Sequence, residues 1–472
     1  MPRWIRSSLV ALLATLGALT GCAQQVPDVE PSWIDGWSPT RVAGIEVTAG
    51  PSGPRPDGPA SRLVAENSDG GPLDRLALNA LDDLQIYWKD RLPLDFGRPF
   101  DPVDRIVSYD STRPTGQVCG IDTAGAANAF YCTGEQDTVA WDRGELLPIL
   151  DRLFGPLAVV TVLAHEVGHA VQFRLSDAPA ASTIVREQQA DCYTGAFFRW
   201  VAEGDSPRFQ VSTGPGLNQV LSTLFFIRDN LGTSFDDVGA HGTAFDRVTA
   251  FQLGFSDGPR RCAEIDETEI RERITQQGAD QADDVDAGGA DLRVDDKQNL
   301  TALAATLREA FGPASGGRFR LDSAACPGGL TTTPVTYCPA SVSVHIDLDG
   351  LAEIGASMDE GGLGDFAAFA AVASRYALAV QHAAGLPLDG LVAAQRTACL
   401  TGAWAASIRA EQGRRLRLSP GDLDEAVAEM LAVDSLVAAD VLGRSVPSGF
   451  ARVTAFRDGY TAGIDACLAN YR

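Results

Sequence analysis

The chain has 472 residues, 45% of them hydrophobic and 21% charged, a composition that can bury sizeable cores and is unlike that of a disordered polymer. Two globular domains and a tail are expected for this length. The 38 basic and 62 acidic residues give a formal charge of -24 and a pI near 4.5, which repels phosphate backbones and argues against nucleic acid as a partner.

In chain order, Arg3 and Arg6 precede an apolar run from Leu9 to Leu19. That run is too short for a finished membrane span and has the length of an export signal's hydrophobic region. It ends in Leu19-Thr20-Gly21-Cys22, which resembles a bacterial lipobox. The resemblance implies a signal peptide over residues 1–21, lipid modification of Cys22, and attachment to the outer face of the cytoplasmic membrane. Gln24 to about Arg62 is rich in Pro, Gly, Ser and Asp without periodicity, so 22–72 is read as a flexible, lipid-anchored tether.

A helix is expected from Leu73 to Asp90 and a short strand from Thr138 to Trp141, the latter from its branched and aromatic content. Apolar residues then recur at helical spacing from Glu145 through Phe173. Residues 266–296, with the run Asp283-Asp284-Val285-Asp286, read as an acidic linker; the carboxylates lack the alternation of a calcium loop. Beyond it come a helix from Lys297 to Phe311, a strand from Val342 to Ile346, and helical spacing from Phe366 through His382. The expected fold class is α+β, mainly helical, with a small sheet in each half.

The two halves repeat each other. Cys192-Tyr193-Thr194-Gly195-Ala196 returns as Cys399-Leu400-Thr401-Gly402-Ala403, Arg247-Val248-Thr249-Ala250-Phe251 as Arg452-Val453-Thr454-Ala455-Phe456, and Ala170-Val171-Gln172 as Ala379-Val380-Gln381. Order and spacing agree, as in a tandem duplication, so two packed domains over 73–265 and 297–472 are expected. Cys119, Cys132, Cys192 and Cys262 have counterparts in Cys326, Cys338, Cys399 and Cys467. An even set in an oxidising compartment makes disulfides the expectation. The simplest scheme joins Cys119 to Cys132, Cys192 to Cys262, Cys326 to Cys338 and Cys399 to Cys467; crossed pairing stays open, because sequence does not fix connectivity.

The chemistry-bearing run is His165-Glu166-Val167-Gly168-His169. On a helix, residues four apart share a face, so both histidines can turn a nitrogen to one zinc ion while Glu166 flanks it. A third ligand is required. An extended metzincin motif would need glycine at Gln172 and histidine at Leu175 and is excluded. Glu187 is the next candidate ligand, with Asp191, four residues on, receiving the second ring proton of a ligating histidine. That is a gluzincin, thermolysin-like arrangement.

Phe130-Tyr131-Cys132, the HEVGH pentad with Ala170-Val171-Gln172, the run Glu187 to Cys192, and His241-Gly242-Thr243 leading to Arg247 and Phe251 resemble, in that order, the neutral zinc metallopeptidase family. The resemblance covers about Leu73 to Cys262. It implies a zincin-like domain in which His165, His169 and Glu187 hold one zinc per chain and Glu166 is the catalytic base. The segment Ile227-Arg228-Asp229-Asn230 departs from the Gly-Asp-Asp-like run expected before His241, and no role is assigned to it.

In the second half, Ser374, Arg375 and Leu378 stand at the places of His165, Glu166 and His169, Ala394 and Ala398 at those of Glu187 and Asp191, and Val446 at that of His241. That copy is expected to lack the metal site, and its His345 and His382 to be structural or surface groups. His241 either donates a hydrogen bond to a tetrahedral oxyanion or caps local backbone. The expected function is hydrolysis of a peptide or protein substrate by a zinc-bound water with Glu166 as general base. Two other readings are kept: a non-catalytic cell-envelope interaction protein with structural or no zinc, and a zinc amidase acting on cell-wall peptides.

Overall fold

The structure, a computed structural model, describes residues 38–471 apart from 114–115, 135, 176–180, 232, 238, 274–291, 313–316, 324, 328 and 410–414. The expected signal peptide, Cys22 and the run Asp283 to Asp286 lie outside the described residues.

Near the N-terminal end, β1 (Arg41–Val42) pairs with β2 (Ile45–Glu46), and β3 (Gly53–Pro54) follows. Helix α1 (Pro72–Phe96) begins with proline in its first turn and stops at Gly97, whose φ of 66° makes a left-handed cap. It outruns the expected end at Asp90 because Leu92 is still buried in the core, and Pro93 sits in the last turn. Strands β4 (Arg105–Tyr109), β5 (Gln117–Val118), β6 (Ile121–Asp122), β7 (Ala129–Cys132) and β8 (Thr138–Asp142) come next. In the three-stranded sheet β4-β8-β7, β8 lies parallel to β4 and antiparallel to β7.

The periodic stretch from Glu145 to Phe173 is two helices. Gly155, with φ of 78°, separates α2 (Leu146–Phe154) from α3 (Pro156–Leu175). Helix α3 is buried almost all round, with Val159, Val160, Leu163, Val167 and Val171 each contributing core surface, about 1.5–3 kcal/mol for a fully buried side chain of this kind. Then come α4 (Thr183–Glu203), β9 (Phe209–Gln210), α5 (Pro215–Phe226), α6 (Ala244–Asp257), α7 (Pro259–Glu264) and α8 (Glu267–Arg273).

Two boundaries read from composition are corrected. The tether over 22–72 is ordered from residue 38 onward: Val42 is buried, β3 pairs antiparallel with β9, and the Thr48 N–H donates to Thr213 Oγ1 at 2.8 Å. Backbone pairing over two residues at a time holds this segment, which leaves no periodicity to read. The linker likewise starts later than 266, because α8 buries Ile270 and Arg273.

The second half contains α9 (Lys297–Phe311), β10 (Arg318–Arg320), β11 (Val335–Cys338), β12 (Ser343–Ile346), α10 (Leu348–Ile354), α11 (Asp365–Ala383), α12 (Leu391–Ser407), α13 (Asp422–Leu431) and α14 (Gly449–Asn470). Its sheet β10-β12-β11 has the strand order and the mixed pairing of β4-β8-β7. Helix α14 is interrupted at Gly463, whose φ and ψ of 80° and -174° match the 81° and -174° of Gly258 between α6 and α7. Four disulfides, Cys119–Cys132, Cys192–Cys262, Cys326–Cys338 and Cys399–Cys467, follow the simplest scheme, each closing within one half.

Glycine sets the tightest crossings. A Cβ on Gly195 of α4 would collide with the Phe251 carbonyl of α6, and one on Gly254 with the Cys192 carbonyl. Gly402 and Gly459 stand in the same relation across α12 and α14, against Phe456 and Cys399. The halves meet where α6 lies against α14: the Phe255 and Phe450 rings are 5.1 Å apart, Gln252 Nε2 donates to the Phe450 carbonyl at 2.9 Å, and Arg457 Nη1 donates to Gln252 Oε1 at 3.0 Å. Because these collisions are with backbone, Gly402→Ala, far from any candidate site, is expected to cost about 1–3 kcal/mol, read as a lower urea midpoint.

Candidate metal centre

His165, Glu166 and His169 lie on α3, and Glu187 and Asp191 on α4. The two histidine rings share a face and stand nearly perpendicular, with centroids 4.8 Å apart. The helices can approach because residue 168 has no side chain: a Cβ on Gly168 would lie 2.9 Å from the Ala190 Cα. That contact brings Glu187 Oε2 to 3.0 Å from His165 Nε2 and 3.4 Å from His169 Nε2. One donor atom from each of the three residues lies within 4.8 Å of the other two.

The outer nitrogen of each ring is already committed. His165 Nδ1 donates to Asp191 Oδ1 at 2.8 Å, and His169 Nδ1 to Gln172 Oε1 at 3.0 Å. Both Nε2 atoms therefore face Glu187, the orientation that a divalent ion needs from ligating imidazoles. Gln172 is itself held, its Nε2 donating to the Arg186 carbonyl at 2.7 Å. Asp191 is fully buried and accepts from Arg247 Nε at 2.8 Å and Nη2 at 2.9 Å, while Arg247 Nη1 donates to the Ile227 carbonyl at 2.7 Å. Two imidazoles and one carboxylate, with both rings braced from behind, fit the donor set of a catalytic zinc site.

Electrostatics favour positive charge at the point where the three converge. Burial opposes an imidazolium at His165, but the Asp191 and Glu187 carboxylates outweigh it and push its pKa up to about 10. Burial opposes charge at His169 too, and Glu187 raises it nonetheless. Glu187, against its burial, is held well below the usual carboxylate range by the two histidines. Asp191, also against burial, is held low by Arg247 and His165. A metal ion and a proton thus compete for the same nitrogens.

Glu166 is buried at 8% exposure and lines a cleft of about 290 Å³ together with Phe130, Tyr131, Leu146, Val162 and Ile227. It makes no hydrogen bond or ion pair with a described residue, which leaves its carboxylate free to take a proton. His241 stands at the same cleft with its side chain 43% exposed, its Nε2 3.7 Å from Glu187 Oε2. Its Nδ1 lies 3.3 Å from Asp229 Oδ1, and Asp229 Oδ2 accepts the backbone N–H groups of His241 and Gly242, both at 2.7 Å. Burial would raise Asp229, but these contacts hold its carboxyl low. The segment left without a role by sequence thus supplies the group that aims His241.

Other clusters lack this chemistry. Asp365, Asp422 and Glu425 also converge within 4.8 Å, but they accept backbone N–H groups of Leu292, Ser419 and Phe366. A larger cavity of about 990 Å³ runs along the seam between α6 and α14 and has no histidine in its lining. His345 meets Asp322 and Ser343, and His382 meets the Tyr337 hydroxyl. Where the second half matches the site, Ala394 and Val446 pack with Ala451. Arg375, at the place of Glu166, is fully buried and donates to the carbonyls of Leu436, Ala439 and Asp440.

No protein-family profile matches the chain, and no solved structure does. Uncharacterized proteins of Mycobacterium bovis and of two strains of Mycobacterium tuberculosis are each 27% identical over 199 residues, a match covering 35% of this chain and 67% of theirs.

Two outcomes follow from this geometry. Zinc added to the metal-free protein at pH 7 is expected to release about one proton or more, His165 being protonated there, and affinity should fall about tenfold per pH unit on acidification; calorimetry in buffers of different ionisation enthalpy reads both. Gln172→Ala, which removes the brace on His169 and strands no charge, should weaken zinc by about 10–100-fold in a chelator competition.

Proposed function

We propose that the protein is an extracytoplasmic zinc metallopeptidase of the HExxH type. In this reading the first half is a zincin-like catalytic domain, the second a degenerate copy without ligands, and Cys22 the site of lipid attachment to the membrane. The observation that carries it is the convergence of His165, His169 and Glu187, one ligand atom of each within 4.8 Å of the others, with both Nε2 atoms turned to Glu187 Oε2, beside Glu166 at the cleft. The chain has no helix among the described residues long and apolar enough to cross a membrane.

Zinc held by His165, His169 and Glu187 would supply a Lewis acid that polarises the scissile carbonyl and acidifies water to a pKa of about 7. The remaining chemistry belongs to the chain. Glu166, one residue along α3 from His165, takes the proton of the attacking water and returns it to the leaving amine. Asp191 and Gln172 keep the ligating rings from rotating. His241, held beside Asp229 at the edge of the cleft, is the group placed to donate a hydrogen bond to the oxyanion of the tetrahedral intermediate.

Glu166→Gln is expected to retain one zinc per chain while hydrolysis of a general peptide substrate falls by at least about 100-fold. Retained turnover in that variant would remove Glu166 as the base. One bound zinc in the wild type with no cleavage of any peptide would instead favour the binding protein, and release of only cell-wall peptides the amidase.

A further inference from the structure

The second half holds the segment that aims His241. Asp424, on α13, is 3% exposed at its side chain, and its Oδ1 accepts the Phe245 N–H in the first turn of α6 at 3.0 Å. Its Oδ2 lies 3.3 Å from Arg228 Nε. Arg228 Nη2 also meets Met358 Sδ, another residue of the second half, at 3.6 Å. Arg228 adjoins Asp229, whose carboxylate contacts the His241 ring and accepts the backbone N–H groups of His241 and Gly242. On its other side the segment is tied to the metal centre, because the Ile227 carbonyl accepts from Arg247.

The reciprocal contact isolates what is special about Asp424. Beside each helix's own N-cap, Thr243 and Ser448, the halves exchange a further first-turn cap: as Asp424 accepts from α6 of the first half, Asn218 Oδ1 on α5 of the first half accepts the Gly449 N–H at the start of α14, at 2.8 Å. A neutral amide oxygen therefore suffices to cap. Asp424 carries a charge that Asn218 does not, and it is Asp424 that faces an arginine, Arg228, which the Phe225 carbonyl and ring also hold.

We propose that the second half is a positioning element for the first: the Asp424 carboxylate fixes Arg228 and the start of α6, so that Asp229 presents His241 to the cleft. Asp424 touches neither substrate nor a ligand; it acts through Arg228 and Asp229. The inference rests on the peptidase reading for its effect on turnover, and on geometry alone for its effect on His241.

The test is Asp424→Asn in the full chain, a change that keeps the cap and removes the charge. In metal-free protein the imidazole Cε1–H resonance of His241, assigned by its loss in His241→Gln, is expected to shift or broaden. With zinc restored at one per chain, kcat should fall by about 10–100-fold with KM within about twofold, the signature of a misplaced group. Asn218→Ala, which removes the reciprocal cap, should leave the His241 resonance in place. An unmoved resonance in Asp424→Asn overturns the proposal whatever the activity does, as does an equal displacement in Asn218→Ala. If Asp424→Asn fails to fold, Arg228→Gln breaks the same contact from the other side and is read in the same way. A wild type that hydrolyses no peptide sinks the peptidase reading, and the resonance still decides this one.

Discussion

A carboxylate without access to water is the constraint around which the first half is organised. Asp191 has no exposure, and an ionised group in such a place costs several kcal/mol unless its lone pairs are used. Here they are: Arg247 takes both oxygens, and the His165 ring takes one of them again. The arrangement ties three helices, since His165 belongs to α3, Asp191 to α4 and Arg247 to α6. It also fixes the plane of the His165 ring, so the same interaction that makes the buried charge tolerable turns a nitrogen towards Glu187.

The second half shows what the scaffold does when that charge is absent. Ala398 stands where Asp191 is, yet Arg452, matching Arg247, remains and spends its guanidinium on the carbonyls of Val446, Met430 and Ala432. Both arginines donate to backbone carbonyls at that corner, and Arg247 also holds the Asp191 carboxylate. Arg375, at the place of Glu166, is likewise engaged with backbone: burial pushes its pKa down to about 10, and its guanidinium donates to three carbonyls.

Much of this was legible in the residues. The spacing of His165 and His169, the four-residue step from Glu187 to Asp191, and the doubling of the cysteines each constrain geometry locally, and local geometry is what helical periodicity encodes. Gln172 and Arg247 were harder to read as parts of the site because both recur in the second half, as Gln381 and Arg452, and a residue shared by both halves reads as scaffold. Asp229 was missed for a different reason: it lies in a loop twelve residues before His241, where no period relates one side chain to another. The ordered stretch after residue 38 was hidden by its pairing with β9, some 150 residues away in the chain, a distance over which composition is silent.

The exchanged caps carry a consequence for how such a molecule can change. In a symmetric pair of identical chains, one gene position must serve both sides of the axis, so Asn218 and Asp424 would be obliged to be the same residue. Within a single polypeptide that obligation does not exist. Each side of the seam can then drift alone, so that an amide stands at one crossing and a carboxylate at the other.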